Sequence, residues 1–270
     1  MTGQTASFIG TIPEQYDRFL GPVIFADFAA DMARRAAAGA PARVLETAAG
    51  TGIVTRQLRT LLRADARLTA TDLNAPMLEV ARAKFRPDEQ VDLRPADATA
   101  LPFPDSAFDT VLCQFGVMFF PDKDASYREV ARVLAQGGRY LFSVWDSHRR
   151  NLFGRLAHEI IGGFFPTDPP RFYEVPFGYS SIDPIKESLA DAGFADLRIA
   201  VLRIEKEIPD VAPFARGIVY GNPIFDQILA RGSVEPDRVV AAIVERFRRE
   251  FGPGPSRIPL QAILFEARKP

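Results

Sequence analysis

The sequence predicts a doubly wound α/β fold: a mostly parallel sheet with an antiparallel terminal strand, an N-terminal helical arm and helical lid insertions. Three observations predict it. Residues 43–145 alternate short β-branched or leucine-rich runs with amphipathic segments, the pattern of repeated βα units. The first run ends in a glycine-bearing turn, Gly50-Thr51-Gly52, ahead of an amphipathic stretch. The run at 140–145 is nearly all apolar, as a strand covered on both faces has to be.

Taken in order, the first forty residues read as a helical arm, with Phe19, Leu20, Val23, Ile24 and Phe28 at helical spacing and Gly39 placed to stop it. Val44 and Leu45 enter the first strand, and Val54, Leu58, Leu61 and Leu62 mark one face of the helix that follows. A second strand at 68–71 leads to Asn74, a candidate N-cap, and a helix carrying Met77, Ala81 and Phe85. Short strands follow at 91–93 and 110–113, the latter after a Pro104-Asp105-Ser106 turn. A helix through Val130, Val133 and Leu134 is expected to end at Gly137-Gly138, where positive φ is available, before the fifth strand.

Beyond Trp145 the alternation breaks. Residues 147–181 hold seven Phe and Tyr among four prolines and read as an aromatic lid insertion. Asp183-Pro184 reads as a cap with proline at the first helical position, opening a helix closed by Gly193. Runs at 197–204 and 260–267 alternate like strands and are expected to pair antiparallel at the sheet end. Between them lies a helical segment with a Val239, Val240, Ile243, Val244, Phe247 stripe. The predicted layout is therefore arm 1–40, core 41–146, aromatic lid 147–181, core 182–206, helical lid 207–255 and final strand 256–270.

Composition narrows the function. With 33 Lys plus Arg against 34 Asp plus Glu, the chain offers no global attraction to phosphate backbones or anionic lipid, so neither a nucleic acid nor a membrane is an expected partner. The lone Cys113 forms no internal disulfide, the start of the chain lacks a signal-peptide layout, and a cytoplasmic location is expected. No metal-ligand spacing such as His-Glu-x-x-His occurs, nor a Gly-x-Ser-x-Gly elbow.

Chemistry-bearing residues stand at successive strand ends. Glu46 closes the first strand before small residues that let a ligand touch backbone N–H groups at a helix start. Asp72 closes the second strand twenty positions after Gly52, placed for the two hydroxyls of a ribose, though alone it reads equally as a helix cap. Asp97-Ala98 follows the third strand, where a carboxylate can accept from an adenine amine. Gln114-Phe115 follows the fourth. Loop capping and core packing explain each alone; four at four consecutive strand ends point to an adenosine-shaped slot. A nicotinamide dinucleotide wants a third glycine where Thr55 stands, so that fingerprint fails. S-adenosylmethionine carries no phosphate and needs acidic and backbone partners for its methionine tail.

Residues 46–52, ETAAGTG, resemble motif I of the class I S-adenosylmethionine-dependent methyltransferases, and 71–78, TDLNAPML, resemble their ribose segment. Residues 97–103, DATALPF, followed by Phe108-Asp109, are similar to the adenine segment of the quinone-biosynthesis-like (type 11) methyltransferases, and 132–139, RVLAQGGR, to their later turn. The resemblance covers about residues 40–146 and implies a Rossmann-like core. It also implies a cofactor set: Gly50 and Gly52 beside the methionine tail, Asp72, Leu73 and Met77 at the ribose, Asp97 and Ala98 at the adenine, and Gln114 and Phe115 near the sulfonium. One position departs, since the first small residue of motif I is usually glycine and is Ala48 here; its methyl narrows the backbone approach. Tyr16 is placed to close over the cofactor tail, as aromatic residues do in similar enzymes, with core packing an equal reading.

The leading expectation is methyl transfer, without metal, to a small apolar or aromatic acceptor beneath the aromatic lid. Two alternatives stay open: an NAD(P)-dependent oxidoreductase, and an S-adenosylmethionine-binding regulatory protein without transferase activity. A homodimer contact is the rival role for the aromatic segment. His148, just past the fifth strand, is the first candidate for a general base, against a solvated loop residue.

Overall fold

One seven-stranded sheet organises the computed structural model, which describes residues 7–270. Strands β1 Arg43–Glu46, β2 Arg67–Asp72, β3 Val91–Pro95, β4 Phe108–Gln114 and β5 Leu134–Trp145 run parallel. With β6 Ala195–Ile208 and β7 Ser256–Arg268 the order is β3-β2-β1-β4-β5-β7-β6, and β7 is antiparallel to both neighbours. The doubly wound prediction holds, and the antiparallel strand slots between β5 and β6. Strand order reverses between β1 and β4, which opens a crevice at their carboxyl ends.

Period-two alternation sends neighbouring residues to opposite faces. Val111 and Cys113 of β4 and Tyr140, Phe142 and Val144 of β5 join one apolar core, and Leu112 and Leu141 join another beneath α2 Ala26–Ala37 and α3 Ile53–Leu61. Both faces are covered, which explains the nearly unbroken apolar run in β5.

The arm is helical as expected, but its middle is a π-helix, Tyr16–Phe25, between the short α1 Ile12–Gln15 and α2. Pro22 has no N–H to give a normal helical bond, and Ala26 N–H instead reaches Gly21 O, five residues back. A Cβ on Gly21 would sit 3.1 Å from Ile53 Cδ1, so the glycine lets the arm close onto α3. The first six residues of the predicted arm lie outside the described residues.

Three local expectations need correction. Leu61 does not join the buried face of α3: it is 47% exposed, because the helix ends there and the chain turns to extended φ/ψ at Leu62. The helix before the glycine pair, α5 Lys123–Val133, stops ahead of it, and Gly137, at φ 72°, instead bends the entry of β5 where the register with β4 shifts. Helix α8 Ile182–Asp191 has Ser181 at its N-cap position, without a side-chain capping bond, which leaves Asp183 and Pro184 inside its first turn.

The segment 147–181 folds into α6 Leu152–Gly163 and α7 Glu174–Phe177. Phe153, Phe165, Phe172, Tyr173 and Phe177 are buried in the main core, with Phe164 and Tyr179 packed partly against it. Behind them stand α9 Val211–Tyr220, α10 Ile224–Arg231 and α11 Pro236–Phe251. Val239, Ile243 and Phe247 of the predicted stripe are fully buried, whereas Val240 and Val244 are half-buried at its edge.

Candidate active site

The turn after β1 is shaped by three left-handed residues, Ala48 at φ 50°, Gly50 at 57° and Gly52 at 77°. Ala49 N–H is held by Thr71 O at 2.9 Å, and Gly50 N–H by Asp72 Oδ2 at 2.8 Å. The turn is thereby tied to the end of β2. On its other side it meets the loop after β4: a Cβ on Gly116 would fall 2.4 Å from Ala48 Cβ and 2.7 Å from Cys113 Sγ. Glycine at 116 makes room for the alanine at 48.

About 830 Å³ of empty space, part of it open to solvent, lies in this crevice. Ten of the predicted cofactor residues line it: Tyr16, Ala48, Gly50, Asp72, Leu73, Met77, Asp97, Ala98, Gln114 and Phe115. Asp72 is almost fully buried and accepts from Gly50 N–H and, at 2.8 Å, from Asn74 N–H. Burial pushes its carboxyl up, while the bonds from Asn74 and Gly50 pull the other way. Asp97 caps its own turn, accepting from Thr99 N–H at 2.8 Å, and its exposed carboxylate stays at the rim. Asn74 occupies the N-cap position of α4 Ala75–Arg82 without capping it; its Oδ1 accepts from Phe8 N–H at 3.1 Å and closes the arm over the cavity.

A smaller recess beneath the turn collects Glu46, Thr51 and Gln114. Glu46 is 2% exposed, and its pKa is pushed up to about 8, by burial first, against the pull of the Thr55 hydroxyl that donates to it at 2.6 Å. Gln114 donates its amide to Phe25 O at 3.4 Å, so its Oε1 is turned away from that carbonyl. That Oε1 and Thr51 Oγ1 are both buried without a partner. The recess therefore gathers a carboxyl held by one hydroxyl, a carboxamide oxygen without a donor and a second hydroxyl that can also accept.

Beyond Phe115, about 430 Å³ of empty space is walled by aromatic side chains. Phe115, itself at φ 53°, stacks on Trp145 with centroids 4.1 Å apart, and Phe119 stacks on Phe172 at 6.0 Å. Tyr16, stacked on Phe25 at 4.9 Å, borders all three spaces.

Two predicted site residues lie elsewhere. Gly52 lines none of these spaces; a Cβ there would come 2.9 Å from Ala81 Cβ, so it serves the packing of α4. His148 is not brought to either cavity. Its ring rests 4.7 Å from Phe177 and 5.6 Å from His158, its Nε2 is buried without a partner, and burial with the neighbouring imidazole lowers its pKa. Phe8, Asn74, Gly116, Phe119 and Phe120 line the main cavity and were not singled out as site residues. Gly116 and the paired Phe119 and Phe120 stand just past a strand end, a signal the sequence does carry, whereas Phe8 arrives from a remote segment and carries none.

Comparison with known proteins places residues 45–142 within a methyltransferase domain family. The chain is 40% identical over 105 residues to the ubiquinone/menaquinone biosynthesis C-methyltransferase UbiE of Hahella chejuensis, a match covering 38% of this chain and 42% of that relative, less than half its length. To the enzyme of the same name from Shewanella frigidimarina it is 36% identical over 172 residues, 59% of this chain and 68% of that one. Among solved structures, phosphoethanolamine N-methyltransferase 2 of Haemonchus contortus, in complex with phosphomonomethylethanolamine and S-adenosylhomocysteine, superposes with a TM-score of 0.61. It has 17% identity, covers 96% of this chain and 57% of that one, and shows the shared fold.

Proposed function

Because the chain belongs to the class I S-adenosylmethionine-dependent methyltransferases of the type 11 family, we propose that it methylates a small, largely apolar or aromatic acceptor. The observation that carries this reading is the recess holding Glu46, Thr51 and Gln114. The unpartnered oxygens of Gln114 and Thr51 beside the Glu46 carboxyl suit the ammonium of a methionine tail. Asp72 would serve the ribose of either cofactor, but a dinucleotide would bring its pyrophosphate to the turn above the buried carboxyl of Glu46. Thr55, standing where a dinucleotide site wants glycine, uses its hydroxyl to hold Glu46.

In this assignment Glu46 and Gln114 take the ammonium, Asp72 takes the ribose hydroxyls through lone pairs that its backbone donors leave free, and Asp97 with Ala98 borders the adenine. The cofactor supplies a methyl group on a sulfonium, an electrophile that requires no enzyme nucleophile. What the chain contributes is position and dryness: Tyr16, Phe115 and Phe119 border both the cofactor cavity and the aromatic one, and can hold a flat acceptor while excluding water. C-methylation in ubiquinone and menaquinone biosynthesis, the activity in the relatives' names, supports an aromatic acceptor. No base is assigned, since His148 stands behind Phe177.

Calorimetry tests the reading. S-adenosylmethionine and S-adenosylhomocysteine should bind more tightly than NADH, and Asp72→Ala should weaken them by about 1–3 kcal/mol. Tighter NADH binding overturns it. Methyl transfer to one of a panel of phenols, quinols and amines separates a transferase from a protein that only binds the cofactor.

A further inference from the structure

We propose that Asn222 is a specificity-determining residue of the aromatic cavity, its side-chain carbonyl reading a hydrogen-bond donor on the acceptor. The inference rests on the reading of that cavity as the acceptor site. Asn222 lies between α9 and α10, is 8% exposed, and borders the cavity together with Phe153, Phe172, Pro176 and Phe177. It is the only carboxamide among residues that are otherwise mostly aromatic or aliphatic.

Its orientation follows from its partners. Ile218 O lies 3.2 Å from one end of the amide and can only accept, so that end is Nδ2. The other Nδ2 bond, also 3.2 Å, goes to Tyr173 Oη. Tyr173 has already given its hydroxyl hydrogen to Ile218 O at 2.8 Å and therefore accepts here. Both amide hydrogens are spent, and neither bond uses Oδ1. The carbonyl oxygen is the one group this side chain has free to offer a molecule in the cavity it borders. Tyr173 is itself fully buried, so the bracket that aims the amide is rigid.

An acceptor bearing a hydroxyl or N–H at the end that enters this cavity would satisfy Oδ1; one with an ether or a bare ring edge would leave it desolvated and unpaired. The cavity should therefore prefer a phenol to its methyl ether by about tenfold or more.

Titration of the whole protein, free and loaded with S-adenosylhomocysteine, with 1-naphthol and with 1-methoxynaphthalene tests this. Wild type should prefer the naphthol about tenfold, and Asn222→Leu should bring the two affinities together while S-adenosylhomocysteine binding stays unchanged. Equal affinities in wild type, or a preference that survives in Asn222→Leu, overturn the proposal. Should that variant fail to fold, the side-chain carbonyl carbon resonance of Asn222 in wild type decides: at saturation it moves further downfield with 1-naphthol than with the ether, and identical responses overturn it. Failure of wild type to bind S-adenosylhomocysteine is a separate result that counts against the functional reading.

Discussion

At Glu46 the buried carboxyl carries its own readout. Burial pushes its pKa up to about 8 and so favours the protonated form, whereas an ammonium placed against it favours the charged form. Binding of S-adenosylhomocysteine at pH 7 should therefore release protons, seen as a binding enthalpy that varies with the ionisation enthalpy of the buffer; Glu46→Gln should remove that dependence. A buffer-independent enthalpy in wild type would place the ammonium elsewhere. Because the folded pKa is raised, the stability contributed by this carboxyl is complete below the ordinary carboxylate range and is lost as pH rises through about 8. Ala48 makes a second residue-scale case. Its left-handed φ costs an alanine about 1–2 kcal/mol, against about 0.5–1 kcal/mol for the extra freedom of glycine, so Ala48→Gly should stabilise the protein by roughly 0.5–1 kcal/mol in denaturant titrations. Gly116→Ala should cost about 1–3 kcal/mol through overpacking against Ala48. Joining the two substitutions should recover only part of the loss, since Cys113 Sγ still stands 2.7 Å from the new methyl.

Elements differ in how far their sequence announces them. Gly50, Asp72, Asp97 and Gln114 were legible because parallel strands bring their carboxyl ends to one edge, so residues closing successive strands share a site. The π-helix was not, because the apolar residues of the arm fit ordinary helical spacing and Pro22, the one local irregularity, marks a disturbed turn without saying which bond replaces it. The Gly137-Gly138 pair misled because left-handed φ suits a helix end and a strand bend equally. The aromatic segment was noticed for its composition, and the structure shows where its rings go: Phe177 packs edge-on to Phe153 at 5.7 Å and within 4.7 Å of His148. Gly154 on α6 allows this, since a Cβ there would come 2.3 Å from the Phe177 ring. Gly154→Ala should push that ring into the aromatic cavity, weakening 1-naphthol binding at least several-fold with S-adenosylhomocysteine affinity intact. An equal loss of both would show that α6 and α7 also support the cofactor side.

In the whole molecule, one apolar core runs from the arm through β4, β5 and β7 to α11, and the substrate-facing segments share it. Phe265 of β7 is fully buried and stacks on Phe142 of β5 at 4.9 Å, so Phe265→Ala should cost about 3–5 kcal/mol. The loss should appear as a single unfolding transition with near- and far-UV dichroism coincident, and separate transitions would divide the core into independent units. The position of β7 bears on how the chain is made. A ribosome delivers β6 some fifty residues before β7, yet in space β6 touches the sheet only through β7. Until that strand emerges, β5 presents a bare edge, and the fourteen residues of β6 have no strand to lie against. The nascent protein thus passes through an interval in which its parallel half is complete and its sheet is not, and the arrival of one strand closes both gaps at once.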